Sequence, residues 1–190
     1  MTESRHPIST PHPAQVKADA LSPCFYYFAY GSCMCPVDLK RSLGEHTHPY
    51  VVGAAELKGY RLGFFRRSRR RNCGVLDIVP DPSSTVEGVL YQLPWRLSPF
   101  LDEREQGYCH AAVTVACKGR IVANVRTYTV LEKHAQELAP NDWYFTVVMR
   151  GATTCGLSET YCWKLFHHMH RLQTATPLAL PATDAMALVS

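Results

Sequence analysis

The 190-residue chain has no run of about 18 apolar residues, so no transmembrane helix is expected. Met1 to Pro13 is polar and proline-bearing and lacks the apolar stretch of a secretory leader. Without a leader, the expected compartment is the reducing cytoplasm. There the eight cysteines (Cys24, Cys33, Cys35, Cys73, Cys109, Cys117, Cys155 and Cys162) are mostly thiols. No CxxC pair occurs, and Cys33-Met34-Cys35 has no matching partner pair, so no metal is expected from this spacing; separately, no cofactor is expected. No internal repeat is visible, which excludes a solenoid. Charge of one sign is not in large excess: 20 Lys+Arg face 16 Asp+Glu. Five of the cations sit together as Arg66, Arg67, Arg69, Arg70 and Arg71, and without them the chain is near neutral. A general nucleic-acid coat is therefore not expected, and a nucleic-acid partner would have to use that one loop.

What is present is an ordinary globular composition, 46% hydrophobic and 19% charged, at a length that fits one domain. Residues 1–22 read as a disordered lead-in, 23–173 as the folded domain and 174–190 as a loose tail. Cys24 to Tyr30 reads as a buried aromatic strand, punctuated by Gly31-Ser32. Pro36 starts a short helix to about Leu43, capped by Gly44. Val51 to Phe65 reads as one long bent strand or two, followed by the arginine loop. Gly74–Val79 and Val86–Leu93 read as strands split by a turn at Pro80-Asp81-Pro82-Ser83-Ser84.

Further on, Ser98 as N-cap and Pro99 at the first position start a helix to about Glu105. Ala111–Ala116 and Ile121–Leu131 form a hairpin around Lys118-Gly119. Asn141–Thr153 and Ser158–Arg171 read as helices. This order gives an α+β fold, and the strand-rich middle suggests a small, partly closed mixed sheet or barrel with helices packed on it.

Three places carry candidate chemistry. Tyr30-Gly31-Ser32-Cys33-Met34 ends a strand at a turn, where free backbone N–H groups suit an oxyanion or carboxylate. In Leu101-Asp102-Glu103-Arg104-Glu105, Leu101 and Glu105 share a helical face, so a core-facing Leu101 turns Glu105 inward. A carboxylate against an apolar wall gains proton affinity and suits acid–base work. Cys33 as a nucleophile with His110 as its base is a third reading. The arginines beside Phe64 and Phe65 could instead be a solvated loop, a phosphate contact, or a source of attraction for anions entering a nearby site.

These residues resemble a known family, the γ-glutamylcyclotransferases, with the AIG2-like proteins of the same fold. Tyr27-Phe28-Ala29-Tyr30-Gly31-Ser32 resembles its glycine-serine signature. Val86-Glu87-Gly88-Val89-Leu90-Tyr91 resembles the strand before its catalytic helix, and Leu101–Glu105 the acidic segment that carries its glutamate. Arg126-Thr127-Tyr128 and the stretch from Met149 through Gly156-Leu157 to Tyr161 complete the order.

The resemblance implies a small mixed barrel and a small-molecule γ-glutamyl substrate. The substrate's own α-amine attacks its γ-carbonyl, and 5-oxoproline leaves with an amine or amino acid. By the same resemblance Glu105 is the general acid–base. Tyr30, Gly31, Ser32, Cys33, Met34, Tyr108, Tyr128 and Tyr144 are substrate-binding candidates, the tyrosines as hydroxyl donors and apolar walls. Cys33 stands where the family often has Asn or Leu, and Gln106 where a glycine is usual. A non-catalytic binder of the same fold, using the pocket or the arginine loop, is the alternative, and a homodimer is left open.

Overall fold

The computed structural model describes residues 23–175, and the expected lead-in 1–22 lies outside it. Five strands close into a barrel: β1 (Cys24–Ala29), β2 (Val51–Ser68), β3 (Cys73–Pro94), β4 (Tyr108–Cys117) and β5 (Arg120–Val130). Around the barrel the order is β1-β3-β2-β4-β5. Every neighbouring pair is antiparallel except the closing one, β5 beside β1, which is parallel at Tyr27 and Arg126. Closure leaves no sheet edge between β1 and β5 to be paired by another chain. The α-helices among the described residues are α1 (Pro36–Leu43), α2 (Ser98–Arg104), α3 (Asp142–Thr154) and α4 (Glu159–Ala175). No helix among the described residues is long and apolar enough to cross a membrane.

The α+β barrel follows the expected pattern, with local corrections. β2 and β3 form one long hairpin, and β3 is continuous where two strands were expected. The turn signal at Asp81–Ser84 is obeyed locally, because the Asp81 carboxylate accepts from Ser83 N (3.1 Å), Ser83 Oγ (2.7 Å) and Ser84 Oγ (2.7 Å). It produces a wide bulge opposite Gly59 instead of a chain reversal, with Lys58 facing Thr85 and Tyr60 facing Pro80. The register shifts of β2 fall at or beside Gly53, Gly59 and Gly63. Gly59, at φ +81°, adopts a backbone that other residues rarely take.

Arg66 and Arg67 belong to β2, so the arginine loop is reduced to a tight turn from residue 69 to 72. Ser98 is the first helical residue of α2 and not its N-cap, a place taken by Leu97. The helix α4 runs on to Ala175, past the expected start of the tail at 174. The hairpin turn holds, with Lys118 and Gly119 both at positive φ (49° and 74°), the twist that a two-residue connection requires.

Phe28, Phe64, Leu90, Tyr91 and Leu93 are all fully buried, with Leu90 and Tyr91 on opposite faces of β3, so the barrel is packed on both sides of this strand. The barrel's end beyond β1 is covered by a 3₁₀ turn, Ser32–Met34, on which α3 rests. The fit is close: a Cβ on Gly151 of α3 would lie 2.6 Å from Cys35 N and 2.8 Å from Met34 Cβ. Gly151→Ala therefore wedges the helix off the turn. The expected loss is about 1–3 kcal/mol of unfolding free energy by urea denaturation, although alanine favours a helix.

Candidate functional site

The residues 97–105 set the site from sequence upward. Leu97 and Leu101 are buried, and Arg104 and Glu105 continue their stripe about one turn beyond Leu101. Their side chains are only 8% and 14% exposed, although both are charged. Glu105 closes α2 through its N–H to Leu101 O (3.1 Å), and its own carbonyl accepts from Tyr108 N (3.0 Å). The left-handed residue of this turn is Gly107, at φ +84°. Gln106 is not left-handed, so the backbone freedom of the turn is supplied one residue after it.

Arg66 clamps the turn from β2. Its guanidinium donates to Gln106 O and Gly107 O, each at 2.7 Å, and lies 5.0 Å over the Tyr108 ring.

Arg104 is the buried hub. It donates to Asp38 Oδ2 (2.5 Å), Ser42 Oγ (2.5 Å), Ser32 Oγ (3.1 Å) and, through Nε, Cys33 Sγ (2.9 Å). Asp38 comes from α1 and is itself buried, at 4% side-chain exposure. The pair therefore joins α1, α2 and the Ser32–Met34 turn in one desolvated network. Tyr91 supports the turn from inside the barrel, donating to Cys33 O and Met34 O (3.1 Å each). Within the turn the first bond runs from Met34 N to Gly31 O (2.9 Å), so the N–H groups of Gly31, Ser32 and Cys33 lie outside its own bonding.

Cys33 and Glu105 meet over this hub. The thiol donates to Glu105 Oε1 at 3.0 Å. Burial pushes the Cys33 thiol up to about 12, with Glu105 adding to the rise and Arg104 opposing it, so the sulfur stays protonated at neutral pH. Burial also raises the Glu105 carboxyl, opposed by the Cys33 hydrogen bond and by Arg104, Arg71 and Arg66. The reading of Cys33 as a nucleophile with His110 as base is corrected. His110 pairs with Asp102 Oδ1 (2.6 Å) at an exposed position, and the thiol faces a carboxylate that disfavours thiolate. Nor do Cys33 and Cys35 converge on one point, since Cys35 Sγ accepts from Arg150 Nε (3.2 Å) while Cys33 faces Arg104 and Glu105.

Above the hub opens a cleft of about 1270 Å³. The structure brings Tyr30, Gly31, Ser32, Cys33, Glu105, Tyr108, Tyr128 and Tyr144 to its wall. Met34 departs from the expected set: it is fully buried beneath the turn, packed against α3 at Gly151, and does not line the cleft.

The tyrosines differ from expectation in one respect. Tyr30 donates to Tyr128 O (2.5 Å), Tyr108 to Leu76 O (3.0 Å) and Tyr128 to Asp102 Oδ1 (2.5 Å). Their hydroxyls brace the walls. Tyr144 OH instead accepts from Leu76 N (3.0 Å), which leaves its own proton free for another acceptor. Gly31 keeps that hydroxyl close, because a Cβ there would come within 3.1 Å of it.

Sequence reasoning missed Arg104, Asp38 and Tyr27 as parts of the site. The spacing Leu97, Leu101, Arg104 was a readable signal for the first. Asp38 and Tyr27 had none, since the aromatic run of β1 hides which ring faces inward.

Two outcomes follow from the hub. Asp38→Ala leaves a buried guanidinium without its counter-ion and should cost about 3–5 kcal/mol in urea denaturation. A loss like that of an exposed pair, below about 1 kcal/mol, would contradict the network. Cys33→Ala removes a hydrogen bond to the charged form of Glu105. The Glu105 carboxyl should therefore titrate at higher pH than in the parent, as followed by carboxyl-carbon NMR.

Comparison with known proteins places this geometry. The sequence profile of the AIG2-like family matches residues 85–165. The chain is 37% identical over 151 residues to YkqA of Bacillus subtilis (strain 168), whose name carries γ-glutamylcyclotransferase as a provisional assignment. The match covers 77% of this chain and 53% of YkqA, so the chain spans about half the length of that relative. The crystal structure of YkqA superposes with TM-score 0.72 at 34% identity, over 83% of this chain and 58% of YkqA. A structure described as a γ-glutamyl cyclotransferase gives TM-score 0.69 at 24% identity, over 88% of this chain and 94% of its own, a likeness of fold. The uncharacterised human protein loc79017 gives 0.66 at 25% identity, over the same shares.

Proposed function

The chain belongs to the γ-glutamylcyclotransferase-like, AIG2-like family, and from that premise we propose that it is a γ-glutamyl cyclotransferase with Glu105 as general acid–base. The observation that carries this reading is a buried carboxylate of raised proton affinity on a cleft wall, beside a turn with free N–H groups.

The reaction needs three things from the protein. The γ-glutamyl chain must be curled so that its α-amine meets its γ-carbonyl, and the braced tyrosine walls restrict it to that shape. The carbonyl oxygen gains negative charge as the carbon becomes tetrahedral, and the N–H groups of Gly31, Ser32 and Cys33 supply donors there. The attacking nitrogen must lose a proton and the departing nitrogen must gain one. Glu105 takes the first and returns the second, so the enzyme ends as it began. One C–N bond forms in the five-membered lactam and one breaks to the leaving amine. Neither water nor an enzyme nucleophile is consumed.

The environment of Glu105 suits this double role. A carboxylate held at its ordinary low affinity would be a poor base towards an amine. Desolvation raises its affinity, while Arg104 and the Cys33 thiol keep the charged form accessible. Cys33 is a positioning residue here, holding one carboxylate oxygen and leaving the other for the substrate.

Glu105→Gln keeps the shape and removes the proton carrier. Release of 5-oxoproline from a panel of γ-glutamyl amines and amino acids should fall about 10²- to 10⁴-fold. A folded Glu105→Gln protein with undiminished turnover would sink the assignment. Ligand binding by the parent without any 5-oxoproline would favour a non-catalytic binder of this fold.

A further inference from the structure

The arginine turn is not part of the barrel's support. Arg66 holds the turn after Glu105, Arg67 donates to Asn72 Oδ1 (2.6 Å), and Arg71 lies 4.9 Å over Trp143. Arg69 and Arg70, by contrast, are exposed and have no hydrogen-bond or ion-pair partner among the described residues. All five line the same cleft as Glu105. The carboxylates on that wall are Asp38, Glu103, Glu105 and Glu132, and Arg41, Arg104 and His134 are the other basic groups. Asp38 is spent on Arg104, and Glu105 is buried against Cys33. The mouth thus carries more arginines than carboxylates, and Arg69 and Arg70 are the two that no contact among the described residues engages.

We propose that this mouth is a subsite for the leaving portion of the substrate, selecting γ-glutamyl compounds whose leaving amine is polyanionic. Such an amine carries a carboxylate beyond the single one of a neutral amino acid. The inference rests on the cyclotransferase reading above and adds a substrate class to it. With the γ-carbonyl at Glu105, the leaving group has the rest of the cleft to occupy, whose wall includes Tyr108, Arg66 and the arginine turn. Arginine forks match carboxylates with two parallel hydrogen bonds. Arg66 and Arg71 are held by backbone and aromatic partners, which reduces the ordering required when an anion arrives. An acidic side chain, or a short chain of γ-linked glutamates, offers the spaced carboxylates that Arg69 and Arg70 lack.

The test compares γ-glutamyl-glutamate with γ-glutamyl-glutamine, which match in shape and differ by one charge. In the parent at low salt, kcat/KM should favour the acidic compound by about tenfold, the scale of one charge-assisted contact. The ratio should fall towards one in 0.5 M salt, by screening of about a Debye length. It should also fall towards one in Arg69→Ala/Arg70→Ala, with the glutamine compound as the internal reference. A ratio near one in the parent, or a preference that survives the double substitution, overturns the proposal.

Calorimetric titration with the same two compounds gives the same comparison in Kd. If neither compound yields 5-oxoproline, the cyclotransferase reading fails. A charge-dependent Kd that is lost in the double variant would still support the subsite, and equal Kd values would reject it.

Discussion

A guanidinium buried between two helices and a turn holds this site together. Arg104 cannot be stripped of water without acceptors, and it finds them on α1 and on the Ser32–Met34 turn. Desolvating it is tolerable only because Asp38 is buried with it and the remaining N–H groups are met. That requirement fixes where α1 and α2 stand relative to each other. It also fixes how far Glu105, the next residue, reaches over Cys33. The site's geometry is therefore a consequence of satisfying one charge in a dry place.

The closed barrel supplies the frame against which this network is rigid. The long strands bend around so small a barrel at the register shifts beside Gly53, Gly59 and Gly63. Tyr91, at the barrel's core, reaches out of it to hold the carbonyls of Cys33 and Met34. Tyr30, just past the end of β1, donates its hydroxyl to the carbonyl of Tyr128 in β5, across the parallel closure. The walls of the cleft are thus extensions of the strand ladder and share its stiffness.

Two electrostatic demands coexist a few ångströms apart. Around Glu105 the protein accepts the cost of a buried carboxylate, and its affinity for protons rises accordingly. Since the folded state then binds that proton more tightly than the unfolded chain, this residue's contribution to stability falls as pH rises past the ordinary carboxylate range. At the mouth, the arginines impose a cost of the opposite sign. Both costs sit on the cleft and neither on the barrel, which is the distribution expected when a fold is stable enough to carry a strained site.

Local signals in the sequence determined the helices, the Gly44 cap of α1, the Lys118-Gly119 hairpin and the shared face of Leu101 and Glu105. Each depends on backbone conformation within a few residues. They also made the α+β barrel legible, through strand-rich segments flanked by short helices. Tertiary structure alone decided which strands meet, why the Asp81–Ser84 signal becomes a bulge, and that Met34 lies beneath the site and not on it. It alone brought Asp38 to Arg104 and the Cys33 thiol to Glu105, across 66 and 72 residues. No propensity encodes such pairs, because a charge separated from its partner in sequence finds it only when packing removes water from both.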